Sequence, residues 1–339
     1  MSHKIRVEPS GHEFVAQDDE TILDAALRAG IGLPYSCRNG SCGSCKGSLR
    51  SGRIDYGRYE ETALSADERA AGKALFCQAR PLGDVVIQAH ELAGVADIEV
   101  KTLPARVVSM ERAAQDVMIL KLKLPQTERL RFLAGQYLDI LLKGGEHRSF
   151  SLANAPHEDE FLELHVRHVP GGTFTSHVFE TMKEKDLLRF RGPLGTFFVR
   201  EDSDRPLIFV AGGTGFAPIQ GMLAHAFARG VTRPLHLYWG VRAQRDLYRE
   251  ARIREWVQAY PNFRYTPVLS DPAPEDRWHG RTGWVHEAVA ADHADLAGFD
   301  VYASGPPPMI AALKSVAAKH GLPEDQLYFD SFEFAHATS

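Results

Sequence analysis

The sequence predicts a multi-domain chain: a small α+β domain first, an antiparallel β-barrel in the middle and a doubly wound α/β domain last. Three observations carry this. At 339 residues the chain is longer than one core usually fills. Three of its four cysteines crowd into one glycine- and serine-rich loop near the N-terminus. Its hydrophobic pattern then changes twice, from short mixed elements to period-two alternation, and from there to continuous apolar runs followed by glycine turns and helical repeats. The expected domains span 1–92, 101–200 and 204–335.

In the first domain, residues 4–16 alternate around Pro9-Ser10-Gly11 and read as a hairpin. A helix is expected from Thr21 to Ala29, capped by Asp18 or Asp19 and stopped by Gly30, with Ile22, Ala25, Ala26 and Ala29 on one face. Gly47 to Ile54 is strand-like, Ser65-x-x-Glu68 is a capping box, and Phe76-Cys77-Gln78 and Asp84 to Ala89 read as closing strands. His90 to Lys101 reads as a linker.

Between the helix and the first of these strands lies Tyr35-Ser-Cys-Arg-Asn-Gly-Ser-Cys-Gly-Ser-Cys-Lys46. Cys37, Cys42 and Cys45 have the spacing Cys-x4-Cys-x2-Cys, with Cys77 as a distant fourth, which is the pattern of a two-iron, two-sulfur cluster. The small intervening residues let backbone N–H groups turn toward cluster sulfurs. Zinc usually takes two short cysteine pairs, and disulfides belong to oxidising compartments, whereas Met1 to Ser10 has no apolar run of the kind a secretory leader needs. A cytoplasmic setting is therefore expected. The loop resembles that of the plant-type ferredoxins at all four ligand positions, which implies a β-grasp fold.

The middle domain shows its period most clearly in Leu120-Lys121-Leu122-Lys123-Leu124. Three further pieces follow: Arg148-Ser149-Phe150-Ser151 at the end of a strand, Leu164-His165-Val166-Arg167, and Gly171-Gly172-Thr173-Phe174-Thr175 entering a helix. In this order they resemble the flavin domain of the ferredoxin-NADP reductase superfamily, whose fingerprint is Arg-x-Tyr-Ser. The resemblance implies that Arg148 pairs with FAD phosphate, that Ser151 lies near the hydride-accepting edge of the flavin, and that Gly172 and Thr175 form a second phosphate turn. It extends the FAD-binding set to His165, Val166 and Arg167. Phe150 stands where the family has tyrosine; its ring still packs on the isoalloxazine, without the hydroxyl.

In the last domain, Pro206 to Val210 runs into Gly212-Gly213-Thr214-Gly215-Phe216-Ala217-Pro218 and a helix through Ala228. Strand, glycine turn and helix open a doubly wound sheet, whose ligands bind at the carboxyl ends of strands. Further strands are expected at Leu235 to Trp239, Phe263 to Val268 and Phe299 to Ala303, with helices at Leu247 to Ala259, Trp284 to Ala291 and Pro307 to Lys319. Tyr302-Ala303-Ser304-Gly305-Pro306-Pro307-Pro308-Met309 resembles the same superfamily's Tyr-x-Cys-Gly-Pro-x-x-Met, with Ser304 in place of cysteine. This implies that Gly213, Thr214, Gly215 and Pro218 bind NADH, and that Ser304, Gly305, Pro306 and Met309 lie against its nicotinamide. Tyr328 to Phe334 is similar to the family's C-terminal acidic-x-aromatic segment, placing Phe332 at the flavin edge. Arginines without a serine after the second strand, together with Asp246, favour NADH over NADPH.

Composition narrows the alternatives. The chain is 44% hydrophobic and 24% charged, as globular proteins are. A formal charge of -5 with no basic tract argues against nucleic-acid binding. No apolar run approaches the roughly 20 residues of a membrane span. No metalloprotease or serine-hydrolase motif occurs.

Over nearly its full length the chain resembles the ferredoxin-type NADH reductases of aromatic-ring oxygenases and of phenol and methane hydroxylases. Ala134-Gly135-Gln136-Tyr137, Ser149 to Pro156 and Gly195 to Asp202 resemble in particular the CDP-6-deoxy-glucoseen reductases, which pass electrons to a separate dehydrase. The implied activity is electron transfer from NADH through FAD and the cluster to a partner enzyme, either a dehydrase or an oxygenase. Two readings of other kinds stand beside it, a redox-sensing binding protein without turnover and a zinc-holding scaffold. An absorption spectrum with and without NADH separates all three.

Overall fold

The computed structural model describes residues 2–92, 94–95 and 98–332. The expected tail residues Glu333 and Phe334 lie outside the described residues, as do three positions of the expected linker. The chain forms two compact units, one of Met1–Glu99 with Gly195–Phe197, the other of Val100–Leu194 with Phe198–Ser339.

The first unit follows from its alternation. Strands β1 (Ser2–Glu8) and β2 (Glu13–Gln17) form an antiparallel hairpin with Ile5 opposite Phe14. Ile5, Val7, Phe14 and Ala16 point inward and are buried, each large aliphatic contributing about 1.5–3 kcal/mol by leaving water. Helix α1 (Ile22–Arg28) lays Ile22, Leu23, Ala25 and Ala26 into the same core. Its cap is Thr21, whose Oγ1 accepts from Asp24 N at 3.1 Å, and not Asp18 or Asp19; Asp19 sits in the preceding turn at φ +64°. Strands β3 (Lys46–Ser51) and β4 (Ile54–Asp55) follow the cysteine loop. Helix α2 (Ala66–Ala70) opens on the Ser65/Glu68 capping box. Strands β5 (Lys73–Leu75), β6 (Arg80–Pro81) and β7 (Val85–Gln88) complete the unit. The sheet order is β2-β1-β7-β3-β5, with β1 and β7 parallel. Phe76-Cys77-Gln78 is a turn, not the expected strand: Gln78 N and Ala79 N both bond to Leu75 O at 2.9 Å, tightening the chain just where Cys77 must face the loop.

The second unit contains two sheets. The first comprises β8 (Lys101–Ala114), β9 (Val117–Lys123), β10 (Tyr137–Leu141), β11 (His147–Ser151), β12 (Leu162–Arg167) and, after helix α3 (Thr173–Glu180), β13 (Leu187–Leu194). It is antiparallel in the order β11-β10-β13-β8-β9-β12, and a bridge between Leu152 and Leu164 joins the two outer strands into a barrel. Its core holds Leu120, Leu138, Ile140, Leu164, Val166 and Phe190.

The other sheet is parallel throughout, in the order β17-β16-β15-β14-β18-β19. Its elements are β14 (Leu207–Gly212), α4 (Phe216–Ala228), β15 (Leu235–Val241), α5 (Glu250–Ala259), β16 (Phe263–Leu269), β17 (Arg281–Thr282), α6 (Val285–Asp292), β18 (Asp300–Gly305), α7 (Pro307–Lys319) and β19 (Leu327–Ser331). Every residue of β14 and β18 is buried, as a strand covered on both faces demands. Helix α5 starts at Glu250 and not at Leu247, and Trp284 is the N-cap of α6 instead of its first residue.

Candidate active site

In the first unit the cysteine loop wraps tightly because Gly40 adopts φ +84°, and a Cβ there would stand 2.6 Å from Arg58 O. Cys42, Cys45 and Cys77 are buried, and Cys37 is partly so. Cys42 N donates to Cys37 Sγ at 3.4 Å, and Ser44 N donates to Cys42 Sγ at 3.4 Å. The sulfurs meet two by two. A hydrogen bond from Cys42 holds the Cys37 thiol down at about 5, and Cys45 likewise lowers Cys77, while these same bonds raise Cys42 and Cys45. Among the described residues no three His, Cys, Asp or Glu side chains surround one ion position. Paired thiols with backbone N–H groups aimed at sulfur fit a two-iron cluster, which Cys37, Cys42, Cys45 and Cys77 would hold.

In the second unit the parallel sheet sets out three carboxyl-end turns side by side. Ser304 on β18 lies between Ala211 of β14 and Asp330 of β19 in the register. The glycine turn Gly213-Thr214-Gly215 leads into α4 with no side-chain cap. Gly215 packs against β18 so closely that a Cβ would fall 2.0 Å from Ser304 O, so only glycine fits. Pro218 needs no N–H in the first turn of α4 and is buried there. Pro306 caps α7, and the Met309 thioether lies over Gly212. Phe332 N donates to Gly305 O at 3.0 Å, which anchors Phe332 at the same turn.

The barrel reaches this edge through β11 and β12. Ser151 Oγ donates to Asp330 Oδ2 at 3.3 Å, and both residues are buried. Phe150 tilts against Phe174 at 5.2 Å, joining the end of β11 to α3. Gly172 is the N-cap of α3 and leaves its first turn without a side-chain cap. Thr175 Oγ1 accepts from Val169 N and donates to Val169 O, both at 3.1 Å, pinning the turn. Arg167 extends beside Gly213, where an added Cβ would meet its guanidinium at 3.2 Å. The Arg148 guanidinium is one-third exposed and pairs with Glu146 at 3.1 Å.

Two observations bear on cofactor fit. Ser304 Oγ is fully buried and has no hydrogen-bond partner among the described residues, an arrangement that costs about 1–3 kcal/mol unless a ligand supplies one. The starts of α3 and α4 carry no side-chain caps, and bare backbone N–H groups at a helix start favour anions. Both fit a dinucleotide and a flavin.

The structure thus brings Ser151, Ser304, Gly305, Pro306, Met309, Gly213, Gly215, Arg167 and Phe332 to one edge, with Phe150, Gly172 and Thr175 at its barrel side. It does not leave the His165 imidazole open: His165 is buried between Glu163 and Tyr248, and Val166 belongs to the barrel core. Asp330 was absent from the expected set, although the acidic-x-aromatic tail contains it. Glu163, Gln220 and Tyr248 carried no sequence signal.

Three domain families match in chain order. They are the 2Fe-2S iron-sulfur cluster binding domain over residues 5–82, the oxidoreductase FAD-binding domain over 104–199 and the oxidoreductase NAD-binding domain over 209–315. With the thiol pairs and the three-turn edge, these make the protein an iron–sulfur flavoprotein oxidoreductase with a 2Fe–2S cluster, FAD and a nicotinamide dinucleotide as cofactors.

The chain is 41% identical to the CDP-6-deoxy-L-threo-D-glycero-4-hexulose-3-dehydrase reductase of Yersinia pseudotuberculosis over 332 residues, covering 98% of this chain and 99% of that one. It is 38% identical to terephthalate 1,2-dioxygenase reductase component 1 of a Comamonas species, covering 98% of both. The solved ferredoxin reductase of carbazole 1,9a-dioxygenase superposes with a TM-score of 0.69 at 28% identity, covering 98% of this chain and 99% of that one. The chain belongs to the family of ferredoxin-type NADH reductases, in which a plant-type 2Fe–2S domain is fused to a ferredoxin reductase-like FAD and NAD module. It carries electrons from NADH to an accepting partner protein. Among the described residues no helix is long and apolar enough to cross a membrane.

Proposed function

We propose that the accepting partner is a 3-dehydrase acting on a CDP-linked deoxysugar. The observation that carries this is the 41% identity, spread over 98% of the chain, to a reductase named for such a dehydrase. The second reading, the reductase component of a ring dioxygenase or phenol hydroxylase, rests on 38% identity over the same share of the chain.

Bound FAD accepts two electrons together as hydride and gives them up singly, which is the exchange a cluster requires. The chain's residues prepare for this at named positions. Arg148 exchanges its surface pairing with Glu146 for FAD phosphate, and the start of α3 at Gly172 and Thr175 takes the second phosphate. Phe150 packs on the flavin ring. Ser151 stands at the reacting edge, where its hydroxyl donates a hydrogen bond to Asp330 Oδ2. His165 and Val166 contribute backbone only, because their side chains are engaged elsewhere, and Arg167 lies between flavin and nucleotide.

Gly213, Thr214, Gly215 and Pro218 shape the phosphate turn for NADH. Ser304 lies against the nicotinamide, beside Gly305, Pro306 and Met309, and Phe332 covers the flavin edge. NADH is preferred to NADPH because Asp246 and Asp276 both lie on the loops after β15 and β16, where their charge opposes a 2′-phosphate. Asp276 Oδ2 accepts from Gln244 N at 3.1 Å, and Asp246 Oδ2 accepts from Ala243 N at 3.0 Å. The four thiols fit a reducing cytoplasm.

The test pairs the purified reductase, NADH and either a CDP-deoxysugar dehydrase or a ring oxygenase, and measures product formed by each acceptor. Turnover of the dehydrase at least about tenfold above the oxygenase is expected. The reverse order would assign the second reading.

A further inference from the structure

The polar chain at the junction of barrel and parallel sheet lies beside the catalytic edge without touching it. On β12, Glu163, His165 and Arg167 occupy alternate positions and share one face. His165 Nε2 lies 3.0 Å from Glu163 Oε1, and His165 Nδ1 lies 2.9 Å from the Tyr248 hydroxyl. Gln220 on α4 donates through Nε2 to the same Glu163 oxygen at 2.9 Å and to Ala153 O at 2.9 Å. Arg249 approaches Glu163 at 3.9 Å.

Burial opposes charge on Glu163, but bonds from His165 and Gln220 and the charge of Arg249 outweigh it, holding the carboxyl at about 2; burial lowers His165. A neutral imidazole then donates from Nε2 to the carboxylate and accepts at Nδ1 from Tyr248. Every link in the chain has one sense.

Tyr248 also packs edge-on to Trp239 at 5.2 Å and to Phe216 at 6.3 Å, and those two rings stack at 4.3 Å. Trp239 Nε1 donates to Gly213 O at 2.9 Å. A continuous set of contacts therefore runs from the flavin-side strand β12 to the carbonyl of the nucleotide turn.

We infer that the side chains of Glu163, His165 and Tyr248 are positioning groups that fix the nucleotide turn relative to the flavin strand, and so set the rate of hydride transfer without themselves contacting either cofactor. This rests on the reading that NADH reduces FAD at this edge.

The test is rapid mixing of the holoprotein with NADH, comparing the wild type with Tyr248→Phe, which keeps the ring and removes the hydroxyl. The limiting rate of flavin bleaching at saturating NADH is expected to fall roughly ten- to a hundredfold, as small misplacements of reacting groups do. FAD content, the cluster spectrum and the half-saturating NADH concentration should stay within about twofold, a split between rate and affinity that simple loss of fold would not give. Glu163→Gln keeps the side-chain shape and removes the charge; it should slow the same step, and the double variant should be less impaired than the product of the two single effects. An unchanged limiting rate in both single variants overturns the inference, as does loss of FAD from both. If wild-type flavin is not bleached by NADH at all, the reading beneath it fails instead.

Discussion

Arg148 and Ser304 are the side chains whose surroundings predict most. Among the described residues Arg148 is held by Glu146 and the carbonyl of His147 at the surface, so its guanidinium is available for an anion. Arg148→Ala should weaken FAD binding ten- to a hundredfold, or about 1.5–3 kcal/mol, measured as FAD retained after dialysis. Full retention would remove Arg148 from the flavin site. Ser304 is fully buried with its hydroxyl unpaired among the described residues. Cysteine is nearly isosteric and less strongly hydrated, so Ser304→Cys should leave FAD content and the cluster spectrum unaltered while raising the limiting rate of flavin bleaching by NADH. An indistinguishable rate would place Ser304 away from the nicotinamide. At this scale the sequence was legible where function depends on neighbours in the chain, as in Cys37-x4-Cys42-x2-Cys45. It was illegible where partners are distant: Ser151 and Asp330 are 179 positions apart. Glu163 was hidden, and the pairing of His165 with it went unread, because β12 is buried on both faces, which erases the alternation that would mark them.

Among the elements, the turn between β14 and α4 bears the greatest constraint. It is pressed against β18 at Gly215, where a methyl group would overlap the Ser304 carbonyl. Gly215→Ala must separate the two strands' carboxyl ends, at a cost of about 1–3 kcal/mol. Flavin bleaching by NADH should be lost before FAD is, since the β11 and α3 contacts lie in the barrel. Simultaneous loss of both would mean that the turn supports the whole unit and not the nucleotide alone. The hairpin, the Ser65/Glu68 box and the strand–glycine–helix passage were legible because each is a local pattern with one low-energy reading. Phe76 to Gln78 misled because its aromatic and apolar residues face the core from a turn, where burial and not strand pairing selects them. Thr21 displaced the two aspartates as cap because a cap must sit one residue before the helix, whatever acids stand further upstream.

Taken whole, the molecule divides its proposed chemistry between its units: paired thiols in the first, and the edge proposed for hydride transfer, built jointly by barrel and parallel sheet, in the second. The central claim is that electrons enter as a pair in the second unit and leave singly through the first. The most direct measurement is anaerobic rapid mixing with NADH of the wild type and Cys42→Ser, following flavin and cluster absorption and the reduction of a one-electron protein acceptor. The wild type should lose flavin absorption first and cluster absorption second. Cys42→Ser should keep the first phase and its reduction of ferricyanide, and lose delivery to the protein acceptor. Cluster bleaching ahead of the flavin, or a Cys42→Ser protein that retains FAD yet is no longer reduced by NADH, would contradict this order of electron flow.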